Sequence, residues 1–579
     1  MATLGSDRPP SAATLLPATR RAFQPLTEAL TGKLGWMAAA ALCAAYVICM
    51  VRLTSFPMQD YANHVARAKI MADIVFDHGA VFGRYFELHL MAVPYVLPDL
   101  MLMGAVELFG PDAGAGVFTA FVLLSLPCAL LVYARACGIP RGAWLFIFLV
   151  SLFLSTDWFF LVGFFAFRLA VALVVLSLAL AELLRRRWSV AGYTAYVTVL
   201  VLGYLTHLTA LAFMGVALGV SALVRLWLRR TTLRREVYLL APLAVLSVWH
   251  VGFVAPRHDG NGLLSFDWEA ASLTKLVTSK IRNLPDEFSA FDWHLTTQTL
   301  ILLTACALWP VRRHLGRAAL AKPSVVEQLV VGAAFLGVYF ALPSAYQDAQ
   351  YVDIRALPLV TLLLLFALLR LPADGRIAQT FGSPSALALA GLLAVANLLH
   401  VNQALGVNNA WIDQYRLVVA AIPRGAFVLP VHTETRRQHL LHIASHAVID
   451  RDAFIPYLFS GDNHDPMTYF RYRHRPYAPD GQWYRAAHHA VTSADATGAI
   501  DWNQIACDWD YLLVTMPFDP SFIRVPYRSV ASNWAATLLQ VDKDACIGEA
   551  REVSGLTGAG TMRGFASARA SAKSHPGLP

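Results

Sequence analysis

The sequence predicts a polytopic α-helical membrane protein of about eleven spans that ends in an extracytoplasmic α/β domain. Three observations predict it. Apolar residues make up 57% and charged residues 15% of 579, with a mean hydropathy of +0.51, which is more apolar surface than a soluble fold of that length buries. Windows of about 17 to 25 apolar residues, the length that crosses a hydrocarbon core of roughly 30 Å, recur over 34–400 and stop beyond 402. Arginines cluster in the short connections between those windows, and in alternate ones.

The spans fall at 34–53, 113–134, 142–156, 160–184, 190–206, 209–228, 237–254, 296–311, 326–343, 355–371 and 384–402. A net charge of +8 and a pI of 9.1 could mark a nucleic-acid binder, but the positive residues form no single patch. Arg20, Arg21 and Lys33 precede the first span. Arg135 with Arg141, Arg185 to Arg187, Arg229 to Arg235, Arg312 to Arg317, and Arg370 with Arg376 occupy every second connection. The connections near Thr156, His207 and Tyr346 carry none before the next span starts. Short cytoplasmic loops keep Lys and Arg, so the amino terminus lies inside, the carboxyl terminus outside, and the number of crossings is odd. Residues 1–33 show no cleavage site after a short apolar core and form a cytoplasmic tail. The stretch 91–109 is interrupted by Pro94, Pro98, Asp99 and Glu107. It and 60–77 are expected as two interfacial helices inside a long first outer loop, 54–112.

After the membrane domain, 34–402, comes the outer domain, 403–546. A helical run over 411–422 is broken by Pro423, Arg424 and Gly425 before a β-prone run at 426–431. A helix over 438–448 and strands at 511–515 and 536–541 complete a small α/β pattern. The stretch 464–489 mixes Tyr, Phe and Trp with four arginines, which suits sugar stacking or phosphate pairing, or equally a loop packed on the membrane domain. Cys507 and Cys546 are the only cysteines of this domain and the expected disulfide pair, while the other five lie in or beside spans. Residues 547–579 are Gly, Ala and Ser rich and expected to be disordered. There is no glycine-rich phosphate loop, nucleophile elbow or HExxH. His432, His439, His442 and His446 come closest to a metal-ligand set, and no other ligands support them, so no metal site is assigned and the cofactor is left unspecified.

Charges near the outer helix ends are where chemistry is expected, because each is costly at a membrane unless it has a role or a partner. Asp60 follows the first span, and helical spacing puts His64 and Arg67 on its face. Asp157 sits in the very short second outer turn. Arg168 interrupts the fourth span, and Arg355 enters a span from outside, where a guanidinium suits a phosphate. The competing readings are solvated carboxylates for the two acids, pairing of Arg355 with Asp353 or Asp348, and pairing of Arg168 with a helix carbonyl or an acidic neighbour.

This arrangement resembles the GT-C superfamily of membrane glycosyltransferases over the whole chain, most closely the bacterial members related to protein mannosyltransferases and lipid A aminoarabinose transferases. The carriers are the inside amino terminus, the first-loop aspartate with two interfacial helices, a second outer acid after the third span, and an outer α/β domain. The resemblance implies a sugar on a polyprenyl phosphate as donor and a glycan, lipid or protein of the envelope as acceptor. It implies Asp60 as the base that activates an acceptor hydroxyl and Asp157 as the second-loop acid. An inverting transfer needs a carboxylate to take a proton and positive groups for the departing phosphate, hence Arg168 and Arg355, with His64 and His207 as supporting polar contacts. Tyr61 follows Asp60 and no acid adjoins Asp157, so neither loop carries the paired acids that would mark a divalent cation. A transporter and a non-catalytic scaffold are the competing classes. Broken helices in matching halves would mark the first, and indifference to Asp60→Asn the second.

Overall fold

A computed structural model describes residues 32–52, 56–254, 273–284, 293–314, 316–346, 349–372, 374–431, 442–456, 458–459, 469–473, 502–516, 521 and 523–546. Among them, seven helices are long and apolar enough to cross a membrane, and four shorter apolar helices coincide with the remaining expected spans. The long ones are α1 (Lys33–Val51), α4 (Pro111–Ala136), α7 (Phe165–Arg186), α9 (Leu208–Trp227), α10 (Leu233–Trp249, extended by a π-turn to Val254), α13 (Pro323–Ala341) and α15 (Pro384–Val419). The shorter ones are α5 (Trp144–Leu154), α8 (Val190–Thr206), α12 (Trp293–Val311) and α14 (Leu357–Leu369). Leu34, Met37, Leu223, Trp227, Val245, Val248 and Ile301 stand exposed on these helices, an arrangement that lipid stabilises and water would not.

The arginine-bearing ends gather at one end of the bundle. Arg185 at the end of α7 forms a two-pronged bond with Glu236 of α10, at 3.0 and 2.7 Å. Arg225 of α9 bridges Glu182 of α7 at 2.5 Å and Glu327 of α13 at 2.7 Å. Lys322, ahead of α13, donates to the carbonyls of Arg370, Leu371 and Pro372 beyond α14. Side chains that alternate along the sequence thus neutralise one another across the helix ends, as partly buried charges require.

Between α1 and α4 lie α2 (Tyr61–Phe76) and α3 (Val96–Phe109). At about 1.5 Å per residue, the 14 residues of α3 reach roughly 21 Å, too short to cross. Gly110, at φ 80°, turns α3 directly into α4, and a Cβ on Gly114 would lie 2.2 Å from the Ala105 carbonyl oxygen, so only glycine permits this close hairpin. Helix α2 differs from an interfacial helix. Asn63, Arg67 and Asp73 are buried along with its apolar residues, because α2 is wrapped by α3, α4 and the C-terminal domain.

Helix α15 runs unbroken from the last expected span through 411–419, so the span and the helical run after it are one element that carries the C-terminal domain. That domain has a four-stranded sheet of β2 (Val428–Val431), β4 (Tyr511–Thr515), β5 (Tyr527–Ser532) and β6 (Ala536–Val541) in the order β2-β4-β6-β5. Strands β2 and β4 are parallel and the other pairs antiparallel. Edge strand β5 is mostly exposed and polar, so it shows no apolar alternation in the sequence. Of the expected helix 438–448, the described part is a 3-10 turn, Ile443–Ser445, followed by α16 (His446–Arg451). Helix α17 (Trp502–Asp508) ends at the Cys507–Cys546 disulfide, whose Cα atoms are 4.9 Å apart. A two-stranded ribbon pairs β1 (Phe86–Leu88) of the first loop with β3 (Phe470–Tyr472) of the C-terminal domain. Tyr469, Phe470 and Tyr472 are buried in this seam, so they pack and do not stack on a ligand. Most of 464–489 lies outside the described residues, as do 1–31 and 547–579.

Candidate active site

Asp60 occupies the N-cap of α2, where aspartate ordinarily accepts from the first-turn amides, yet its side chain makes no capping bond. The carboxylate points instead into a cluster of cationic and aromatic groups. Its backbone N–H donates to Val162 O at 3.2 Å, at the end of the short helix α6 (Trp158–Val162). Gly163, at φ 94°, makes that approach feasible, since a Cβ there would stand 3.3 to 3.4 Å from Met58, Tyr61 and the Asp60 nitrogen.

Burial pushes the Asp60 carboxyl up to about 7, with the Arg355 and Arg67 guanidinium groups pulling the other way. Arg67 is fully buried and donates to Asp99 of α3 at 2.5 Å, and the Tyr469 hydroxyl donates to the other Asp99 oxygen. Arg67 also lies 3.1 Å from His64 Nδ1, so the face expected of Asp60, His64 and Arg67 exists. Across from it, Arg355 Nη1 lies 3.2 Å from His207 Nε2, which lies 2.7 Å from the Tyr95 hydroxyl. His207 Nδ1 accepts the Thr209 amide at 3.1 Å, capping α9, and this turns Nε2 toward Tyr95 and Arg355. The Arg355 guanidinium sits over Phe164 and Phe167 at 5.4 and 5.8 Å.

Arg355 does not pair with Asp353 among the described contacts. Asp353 binds the buried Lys280 of α11 (Leu273–Asn283) at 2.7 Å, and this directs Arg355 toward His207; Asp348 lies outside the described residues. Asp157 and Arg168 bind each other at 2.6 Å, both buried. Asp157 also caps α6 through the Phe160 amide at 3.1 Å, and Arg168 donates to Leu154 O at 2.7 Å. Burial moves Asp157 up to about 6 against the pull of Arg168 and those amides. The four sequence-derived charges therefore form two groups: Asp60 and Arg355 in one cluster with His64 and His207, and Asp157 with Arg168 as a closed ion pair in the adjoining turn. That turn is tied to α15 and α1, because Asn397 donates to Thr156 at 2.5 Å and to the Tyr46 hydroxyl at 2.9 Å.

Tyr95, Asp99 and His442 belong to the cluster without having been singled out as site residues from sequence, His442 having been weighed only in a metal-ligand set. Tyr95 has φ 72°, a left-handed conformation costly for a bulky side chain, and such strain concentrates at functional sites. Among the described residues no group of three or more His, Cys, Asp or Glu could hold a metal ion. His432 and His439 lie outside them.

Among solved structures, the chain is similar to ArnT from Cupriavidus metallidurans bound to undecaprenyl phosphate, with a TM-score of 0.51 and 12% identity over 90% of this chain and 100% of that one. The chain shares the fold of that protein. No protein-family model matches the sequence, and no curated protein does. At 12% identity the likeness concerns the fold alone. Within that fold, the Asp60 cluster is built by the first loop, the starts of α9 and α14, and the C-terminal domain.

Proposed function

We propose that this protein is a glycosyltransferase that moves a sugar from a polyprenyl-phosphate donor to an envelope acceptor on the extracytoplasmic side of the inner membrane. The observation that carries it is Asp60, a buried carboxylate held near neutrality beside two guanidinium groups, in the fold shared with a protein bound to undecaprenyl phosphate. A base that titrates near 7 accepts a hydroxyl proton efficiently at neutral pH.

In this reading Asp60 takes the acceptor's O–H proton as that oxygen attacks the anomeric carbon. The bond from the anomeric carbon to the phosphate oxygen breaks with its electron pair on the phosphate, and the anomeric configuration inverts. Arg355, which faces His207 beside the Tyr95 hydroxyl, stabilises the departing anion together with that hydroxyl. Asp157 and Arg168 then act by fixing the turn that carries Gly163 against Asp60. His64 and His207 orient Arg67 and Tyr95. The arginine-rich helix ends face the cytoplasm, and the C-terminal domain, with its disulfide, lies outside.

The test is mass spectrometry of envelope glycans from a deletion strain complemented with wild type or Asp60→Asn. Transfer should fall by about 10² to 10⁴ in the variant at equal protein level. Identical glycans in the deletion strain and its parent would rule the transferase out.

A further inference from the structure

We propose that His442, carried by the C-terminal domain, is the positioning residue for the Asp60 carboxylate, so that the active centre is complete only when that domain is seated on the first outer loop. The inference rests on Asp60 being the base and concerns what holds it in place.

His442 Nε2 lies 3.5 Å from Asp60 Oδ1, and both residues are buried. Among the described residues no donor meets Asp60 Oδ1 within bonding geometry, which is costly for a buried carboxylate oxygen, and a small rotation of the imidazole supplies one. The placement is over-determined by contacts unconnected with packing alone. The His442 ring meets Phe459 edge-on at 4.8 Å, and Phe459 meets His64 at 5.8 Å on its other side. Phe459 is pinned to α2 at both ends, its N–H donating to Asn63 Oδ1 at 3.0 Å and its carbonyl accepting from Arg67 at 3.3 Å. Two residues beyond Arg67, Lys69 donates to Val448 O at 3.1 Å, Ile449 O at 2.7 Å and Asp452 at 2.5 Å. The register between α2 and the segment that bears His442 is thereby set from three directions, with the β1–β3 ribbon as the third.

Among the described residues, the ionisable groups around Asp60 are His64 and Arg67 from α2, Tyr95 at the start of α3, Arg355 ahead of α14, and His442. Of these, His442 alone comes from the C-terminal domain. An Nε2–H aimed at Oδ1 favours the ionised carboxylate and fixes its plane, leaving the other oxygen for the acceptor hydroxyl.

The experiment compares His442→Gln, which keeps a donor near the Nε2 position, with His442→Met, which keeps volume and removes it. Both are made in the full-length protein in lipid nanodiscs, with thermal stability confirming the fold. The protonated-carboxyl infrared band that Asp60→Asn removes is titrated in each. His442→Met should move its midpoint up by about one pH unit, a tenfold change in proton affinity, and lower glycan transfer at least tenfold. His442→Gln should restore both most of the way. Equal midpoints and equal transfer in Met, Gln and wild type would overturn the inference. Unchanged glycans in Asp60→Asn would instead sink the transferase reading, while the infrared titration still decides whether His442 holds Asp60.

Discussion

In the proposed transfer, the chemistry turns on one ionisation, that of Asp60. Its ordinary value of 3.8 is raised to about 7 by burial, so the ionised base accumulates only as pH rises through about 7. Transfer should therefore show an acid limb near 7 instead of near 4, measured as rate against pH in reconstituted protein. Stability has the opposite sign. Between 3.8 and about 7 the unfolded chain binds fewer protons than the folded one, so stability falls as pH rises across that window. Asp60→Asn should flatten that part of a thermal-melting profile. Tyr95 belongs to the same scale. Tyr95→Phe removes the hydroxyl that meets His207 at 2.7 Å and should cost about 1 to 3 kcal/mol in chemical denaturation, with roughly tenfold slower transfer. The sequence marks Asp60, His64 and Arg67 by helical spacing alone. It marks Tyr95 only as a neighbour of Pro94, because a left-handed backbone is chosen by what the phenol finds across the site.

At the scale of elements, the turn through α6 decides what Asp157 and Arg168 do. They are eleven residues apart on two sides of one turn, and the two helix ends that meet there close them into a buried pair at 2.6 Å. Asp157→Asn leaves a guanidinium uncompensated and should destabilise by about 3 to 5 kcal/mol, read as a lowered denaturation midpoint. The double variant Asp157→Asn with Arg168→Met should recover much of that loss, since the desolvated charge is gone. A destabilisation that adds across the two single variants would contradict the pairing. Arg168 was legible as a cation that needs an anion. The reading that it pairs with a helix carbonyl or an acidic neighbour holds, with Leu154 O and Asp157 as the two; which acid it takes was not legible, because hydropathy patterns locate spans to within a few residues and say nothing of which way a short turn bends.

For the whole molecule, the seam between the first loop and the C-terminal domain joins segments nearly 400 residues apart. Arg416 bonds Asp450 at 2.7 and 2.9 Å and Asp112 at 3.1 and 3.3 Å, so α15, α16 and the start of α4 meet at one guanidinium. The Cys507–Cys546 disulfide closes a loop of 39 residues next to this domain's sheet, worth about 4 kcal/mol by loop-closure entropy. Replacing both cysteines by serine should lower the melting temperature of that domain, followed by proteolysis within 502–546, while the membrane helices stay protected.

Hydropathy, arginine spacing and β-prone runs by themselves determined the apolar helices among the described residues, the common end of the charged connections and the strands β2, β4 and β6. Those features follow from the solvent each residue type needs, which is a local property of the chain. Tertiary structure alone decided that α2 is enclosed, that Lys280 takes Asp353 while Arg355 faces His207, and that His442 lies beside Asp60. Each of these is a choice among several partners of suitable charge, and only the distances set by packing between remote segments select one.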